Sequence, residues 1–574
     1  MLITHLHHGL TTAKPSKAQL TFWFTLSLTF AAIYGCMALQ QAFSSDYVVQ
    51  DDARQHVFWM QRFIDPGLLP NDFIADYFQS VAPWGYTTFY QLFATIGIHP
   101  FLLNKLLPIA LGLMMTGYCF GVSLQLFPVP AAGFLATLLL NQNVWMKDDL
   151  ISATPRAFLY PLFLAFLYYL LRRSLLPCLV AIALQGLFYP QILLISAGTL
   201  VLTLVRWENG RLSFSRDRQD YVFCAAGLVV AFLVLLPFVL QTSDFGPVTT
   251  ATEAKQLPEY GEKGRSRYFV DNPWEFWLVA DRSGVFPALW LPPLLLVGLL
   301  LPILWRSRDR FPLLQQVQPQ IRLLVQLLGA SLGLFIIAHL LLFKLQLPSR
   351  YTQHSFRVIT AIAAGIVLVA LLEVLLRWAI QSQSLKKQQL ALGITLLLSG
   401  ALLLYPSYDR SFPSTKYKVG QAPALYEFLQ KTPKDSLVAS LSEEANFLPY
   451  FAQRSILIGR EYAIPFHQGY YDQFRQRVTD LLQAQYSPNL EAVQQVVQQY
   501  GIDFWLLDQE AFTPHYLASN RWLRQFQPVV SEAQTLLEQG ITPAIAQTMP
   551  RCTVLSTESL ILLDTSCVTK PPSS

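Results

Sequence analysis

The sequence predicts a polytopic α-helical membrane protein with a soluble α/β unit at its C-terminal end. Three observations carry that prediction. Of 574 residues, 53% are hydrophobic and only 13% are charged, whereas a water-soluble domain carries about 25% charged residues. Apolar stretches approaching the ~20 residues that a bilayer core demands recur throughout residues 1–405. From residue 406 onward such stretches stop, and short extended and helical patterns alternate instead. The same composition, with a mean hydropathy of +0.36, excludes disorder, a coiled coil and a disulfide scaffold. Basic and acidic residues nearly balance, 41 against 36, so nothing points to nucleic acid as a partner; the lipid bilayer is the expected one.

Eleven spans are predicted, near residues 20–39, 101–122, 131–146, 156–171, 175–189, 191–205, 221–240, 285–305, 321–343, 356–376 and 389–405. The fifth and sixth meet at Tyr189-Pro190-Gln191. Arg172-Arg173 and Arg206 flank the pair, so it reads as a hairpin returning to one side. A single helix through it would be about 50 Å long and would be interrupted by Pro190. With Lys14 and Lys17 inside, the inner loops collect Arg172, Arg173, Arg206, Arg211, Arg216, Arg218, Arg306, Arg308, Arg310, Arg377, Lys386 and Lys387. Only Glu208, Asp217, Asp220 and Asp309 oppose them there. The outer loops are longer and richer in acid than in base, as the positive-inside rule requires. An odd number of spans then places residues 406–574 outside. In a bacterium this is the cytoplasmic (inner) membrane, with the N-terminus cytoplasmic and the C-terminal domain periplasmic. The first span reads as an uncleaved signal anchor, despite Cys36 in a setting that faintly resembles a lipoprotein cleavage site.

In the C-terminal segment, residues 436–440, 455–459 and 503–507 read as strands. Residues 471–485 and 490–500 read as helices, the second ending at Gly501. Residues 553–556 and 560–564 read as a hairpin. Cys552 and Cys567 lie in this segment and could pair in an oxidising compartment; two free thiols are the alternative. The other four cysteines fall in spans and read as packing residues.

The outer loops are longer than their connections require, which is usual for functional loops. The first holds two amphipathic stretches, 53–65 and 84–96, whose aromatics (Phe58, Trp59, Trp84, Phe89, Tyr90, Phe93) suit a membrane interface. It opens on Asp51-Asp52. Aspartate is a favoured N-cap and suits the first turn of a helix. A carboxylate near the membrane surface can also serve as general base toward an incoming hydroxyl, but the motif by itself favours the capping reading. The second outer loop carries Asp148-Asp149 beside Lys147, either as a solvated loop or, together with the first loop, as ligands for a divalent cation such as Mg²⁺ or Mn²⁺. The fifth outer loop brings Arg350, His354 and Arg357 at helical spacings, on the side where cations are disfavoured. Guanidinium groups bind phosphate bidentately, and snorkelling toward head groups is the plain alternative. Arg265 and Arg267, in the fourth outer loop, read as solvated. Walker, dinucleotide-binding and metalloprotease motifs do not occur, which removes a nucleotide-driven pump.

Taken together, the acidic Val49-Gln50-Asp51-Asp52 after the first span, the long first outer loop, the acidic second loop and the C-terminal α/β segment resemble the GT-C superfamily of polytopic glycosyltransferases. Within that segment Tyr426-Glu427-Phe428-Leu429 and Tyr500-Gly501-Ile502-Asp503-Phe504-Trp505-Leu506-Leu507 look like the tails of bacterial members. The resemblance implies an extracytoplasmic enzyme with a polyprenyl-phosphate-linked sugar as donor and a glycan or lipid as acceptor. It places Asp51 or Asp52 at the catalytic aspartate, and Asp148 and Asp149 at a loop that binds metal in oligosaccharyltransferases. The chain lacks the Trp-Trp-Asp-Tyr-Gly motif of the peptide-glycosylating members, which argues against a peptide acceptor. The mechanism expected is inverting, with Asp51 or Asp52 as base and Arg350, His354, Arg357 and Arg156 at the donor phosphate. The competing reading is a transporter or envelope-assembly factor with an extracytoplasmic binding domain. The enzyme requires a cavity at the outer surface lined by Asp51, Asp52, Asp148 and Arg350; the transporter requires one near the midplane.

Overall fold

A capping box starts the first long helix, Lys17–Ala42: the Ser16 hydroxyl accepts from the Gln19 backbone N–H, while the Gln19 side chain accepts from that of Ser16. The computed structural model describes the chain except residues 1, 209–210, 241–242, 263, 288–290, 383 and 571–574. Parts of the predicted span 285–305 and the last residues of the predicted C-terminal domain therefore lie outside the described residues.

Among the described residues six helices are long and apolar enough to cross a membrane: Lys17–Ala42, Pro100–Leu126, Arg218–Leu240, Pro319–Leu340, Arg350–Ser382 and Leu385–Tyr408. The other predicted spans are shorter helices. Pro130–Trp145 has 16 residues, every one of them buried. It runs along Arg350–Ser382 so closely that a Cβ at Gly365 would sit 2.5 Å from the Ala132 carbonyl oxygen, a contact only glycine allows. The predicted span 285–305 is shortened to a 3₁₀ turn, Pro293–Leu300, leading into Leu301–Arg306. Pro287, Pro292, Pro293 and Pro302 withhold the N–H groups a longer α-helix would need there.

The two short helices Leu175–Phe188 and Pro190–Thr203 form a hairpin. Arg173 before the first and Arg206 after the second both bind the buried Asp220 carboxylate, Arg206 at 3.0 Å. Tyr189 and Gln191 at the turn line a cavity at the opposite end.

In the first long loop, Phe58, Trp59 and Tyr90 are fully buried, and of the aromatics named above Trp84 is the one well exposed. For Phe58, Trp59 and Tyr90 the expected interfacial role gives way to a packed one. Phe58 stacks edge-on against Tyr462 from the C-terminal segment, so protein rather than lipid covers it.

Beyond the last long helix lies a five-stranded sheet. Its order is Ser455–Ile456, Leu437–Ser440, Phe504–Asp508, Leu560–Asp564 and Thr553–Ser556, the first three parallel and the last two antiparallel to their neighbours. Helices Gln468–Tyr486 and Leu490–Tyr500 accompany it, and Gly501 ends the second at φ +66°. Cys552 and Cys567 are disulfide-bonded. A separate two-stranded ladder ties this segment to the first loop, Val48–Gln50 pairing antiparallel with Tyr417–Val419.

Candidate functional site

That ladder sets the position of Asp51 and Asp52. The Asp51 N–H donates to the Lys416 carbonyl at 3.3 Å, directly after the paired strand. The short helix Ala53–His56 follows, but neither aspartate side chain caps it. Gln50 does so: its Oε1 accepts from the backbone N–H of Asp52 at 2.8 Å and of Ala53 at 3.3 Å. The capping explanation for the aspartates therefore falls away. Asp51 pairs instead with Arg54, which also reaches Glu461 at 2.9 Å. Asp52 pairs with Arg156, Nη2 to Oδ2 at 2.6 Å.

Both aspartates open onto a cavity of about 570 Å³ built from the loops around residues 51–56, 147–156, 265–282 and 346–357, the Tyr189–Gln191 turn and the C-terminal segment. Asp148, Asp149, Arg156, Arg350 and Arg357 line it too. Of the residues singled out in the sequence, only His354 stays behind the wall. It is fully buried, its Nδ1 3.0 Å from the Tyr160 hydroxyl and 4.0 Å from Asp149 Oδ2. A direct contact of His354 with a donor phosphate is thereby corrected.

Helical spacing does bring Arg350, His354 and Arg357 along one side of Arg350–Ser382, but Arg357 already has an anion. It binds Asp149 and donates to the Tyr160 hydroxyl at 2.6 Å. Asp149 also meets Arg156 Nε at 3.2 Å. Burial alone would raise the Asp149 carboxyl, yet Arg357 and Arg156, with His354 and Arg350 beyond them, hold it well below the usual carboxylate range. Asp148 lies 3.3 Å from Lys416 Nζ and 3.6 Å from Arg156.

Two guanidinium groups on the wall are different. Among the described residues, neither Arg350 nor Arg282 has a carboxylate at ion-pair distance, and each adds to the other's field. Burial, then Arg350 and Arg265, push the Arg282 guanidinium down to about 10. Two uncompensated cations facing one polar cavity form an anion site. Arg282 was not singled out in the sequence; its one signal there is being a cation in an outer loop, the signal that marked Arg350. Arg265 and Arg267, expected to be solvated, line the cavity as well, and Arg265 binds Glu461 at 2.5 Å. Burial raises the Glu461 carboxyl, against the pull of Arg265 and Arg54. His56 is a further wall residue, one turn after Asp52. Burial lowers its pKa, Asp52 opposes that and Arg156 adds to it.

The donor set does not suit a divalent cation. Each of Asp52, Asp148 and Asp149 already faces at least one basic side chain. Among the described residues no group of three or more His, Cys, Asp or Glu side chains is placed to hold a metal ion.

No protein-family model matches the chain, and no curated protein matches it in sequence. Among solved structures, the apo oligosaccharyltransferase of Archaeoglobus fulgidus superposes with a TM-score of 0.50 at 12% identity, over 89% of this chain and 72% of that one. The same protein tethered to an acceptor peptide containing the NVT sequon gives the same figures. ArnT from Cupriavidus metallidurans bound to undecaprenyl phosphate matches with a TM-score of 0.40 at 14% identity, over 96% of this chain and 99% of that one. The chain has the polytopic GT-C fold.

Proposed function

With the GT-C fold as premise, we propose that the chain is an inverting glycosyltransferase, transferring a sugar from a polyprenyl-phosphate-linked donor to a glycan or lipid acceptor. The observation that carries this reading is one cavity lined by the Asp51-Asp52 pair and by the uncompensated Arg282 and Arg350. An acid–base group and an anion site must share one space for glycosyl transfer from a phosphate leaving group.

In this reading the acceptor hydroxyl gives its proton to the Asp52 carboxylate and its oxygen attacks the anomeric carbon. The bond from that carbon to the phosphate oxygen breaks, and the released polyprenyl phosphate carries the charge that Arg350 and Arg282 stabilise. A single displacement inverts the anomeric configuration. Asp51, tied to Arg54 and through it to Glu461, steadies the loop that presents Asp52. Arg156 and Arg357, expected at the phosphate, act on the acidic loop instead. The cavity lies at the helix ends and among loops, as surface chemistry requires, which weighs against a transporter with a midplane site.

The eleven apolar segments are then eleven crossings of a bacterial inner membrane, with the N-terminus inside and residues 406–574 a periplasmic α/β domain. The test is reconstitution: purified protein in vesicles with polyprenyl-phosphate-linked sugars and a periplasmic lipid or glycan extract, with the product's anomeric configuration read by NMR. Transfer with inversion supports the reading. Transfer with retention, or none from any polyprenyl-phosphate donor, contradicts it.

A further inference from the structure

Arg156 touches three carboxylates from two loops. Its Nη2 is 2.6 Å from Asp52 Oδ2 and 3.6 Å from Asp148 Oδ2, and its Nε is 3.2 Å from Asp149 Oδ1. The guanidinium offers five N–H donors in a planar fork, so it can serve several oxygens in fixed directions, and it does not lose its proton in a protein. A divalent cation joining the same loops would need these oxygens for itself, about six in all at ~2.0–2.6 Å. Here they are turned toward Arg156; Arg357 takes the other oxygen of Asp149, and Lys416 shares Asp148 Oδ2 with Arg156.

We propose that Arg156 is the resident cation of this site, its guanidinium holding the first-loop and second-loop carboxylates together in the place of a divalent metal ion. The inference rests on reading the cavity as a glycosyl-transfer site. It assigns Arg156 a positioning role: it orients Asp52 toward the acceptor through direct contact with the carboxylate, and it anchors Asp52 to the acidic loop through Asp148 and Asp149. The geometry of the site then depends on a side chain that is always charged, and the transfer proceeds without added metal. Lysine cannot replace it, because a compact ammonium lacks the separate N–H directions that three carboxylates require.

The test is made on the full-length protein in detergent, stripped with EDTA, and its main readouts do not need activity. Thermal unfolding is followed with and without MnCl₂ or MgCl₂, and bound manganese is measured by elemental analysis after dialysis. Wild type should unfold at the same temperature in EDTA and in either salt, and should retain no stoichiometric manganese. With Arg156→Ala the Asp52 carboxylate loses its cation, and Asp148 and Asp149 keep only Lys416 and Arg357; the variant should unfold at lower temperature in EDTA and recover several degrees with Mn²⁺, as a newly made cation site would. Should Arg156→Ala fail to fold, Arg156→Lys keeps a positive charge in place and should remain insensitive to both salts, and the wild-type measurements stand without any variant. A wild type that holds one manganese per chain, or gains several degrees with Mn²⁺, overturns the proposal; so does a folded Arg156→Ala that ignores both metals. A metal-indifferent wild type that transfers no sugar would end the functional reading and leave Arg156 as the site's cation. Transfer that is abolished by EDTA and restored by Mn²⁺ would do the reverse.

Discussion

Asp52 and Arg156 stand 104 residues apart in the chain, yet their side chains meet at 2.6 Å on the wall of one cavity. The first long loop is held there from the C-terminal segment, by the ladder of Val48–Gln50 with Tyr417–Val419. The second loop is held by Arg357 on Asp149.

Gln50, rather than an aspartate, satisfies the start of the helix Ala53–His56. Gln50→Ala should therefore cost about 1 kcal/mol, the usual worth of a lost N-cap, seen as a fall in thermal unfolding temperature. Asp51→Asn should leave that temperature nearly where it is.

Arg357 and Asp149 form a buried pair, their side chains 2% and 6% exposed. Removing Arg357 leaves the buried Asp149 with Arg156 alone, and breaking a buried pair costs up to about 3–5 kcal/mol. Arg357→Ala should lower the unfolding temperature markedly, and adding Asp149→Asn should recover part of the loss. Equal stability of the single and double variants would show that the pair is not coupled.

His56 gives the stability a pH dependence near neutrality. Its folded pKa is lowered, chiefly by burial, so the unfolded chain, titrating at about 6.5, binds its proton first. Stability from this residue is complete above about pH 6.5 and declines as pH falls below it. His56→Gln should flatten the unfolding-temperature profile below about pH 6.5 relative to wild type. A profile unchanged by the substitution would place the sensitivity elsewhere.

Much of this arrangement was legible before the fold was known. The doublets Asp51-Asp52 and Asp148-Asp149 stand out because acidic pairs at the ends of apolar segments have few reasons to exist. The hairpin at Pro190 was legible from Arg173 and Arg206, which the fold brings onto one carboxylate, Asp220. What was illegible is partnership. Arg156 and Arg357 look in the sequence like free cations available to a phosphate, because nothing local shows the carboxylates they face. Lys416 and Glu461 meet the first loop through contacts more than 360 residues away in the chain, and no periodicity or motif reaches that far. The aromatics at 58 and 59 look interfacial for the same reason: the segment that buries them follows the last span.

In the proposed reading Arg350 and Arg282 hold the donor phosphate. Arg350→Lys keeps charge but loses the bidentate fork. Arg282→Ala removes a cation that burial has made weakly solvated. Each should weaken donor binding about tenfold to a hundredfold, from the ~1.5–3 kcal/mol of hydrogen bonds to a charged group. Titration of a polyprenyl-phosphate analogue by intrinsic fluorescence would measure it. Unchanged affinity in Arg350→Ala would remove the fifth outer loop from the donor site.

The most direct measurement is the transfer rate of Asp52→Asn in the reconstituted vesicles, taken beside its thermal unfolding. Asparagine keeps the side chain's shape and cannot accept the acceptor's proton near neutral pH. With Asp52 as the base, transfer should fall by at least about a hundredfold while the unfolding temperature shifts by no more than a few degrees, since the Asp52 side chain is 32% exposed and Gln50 holds the helix start. A folded Asp52→Asn that transfers sugar at the wild-type rate would contradict the account at its centre.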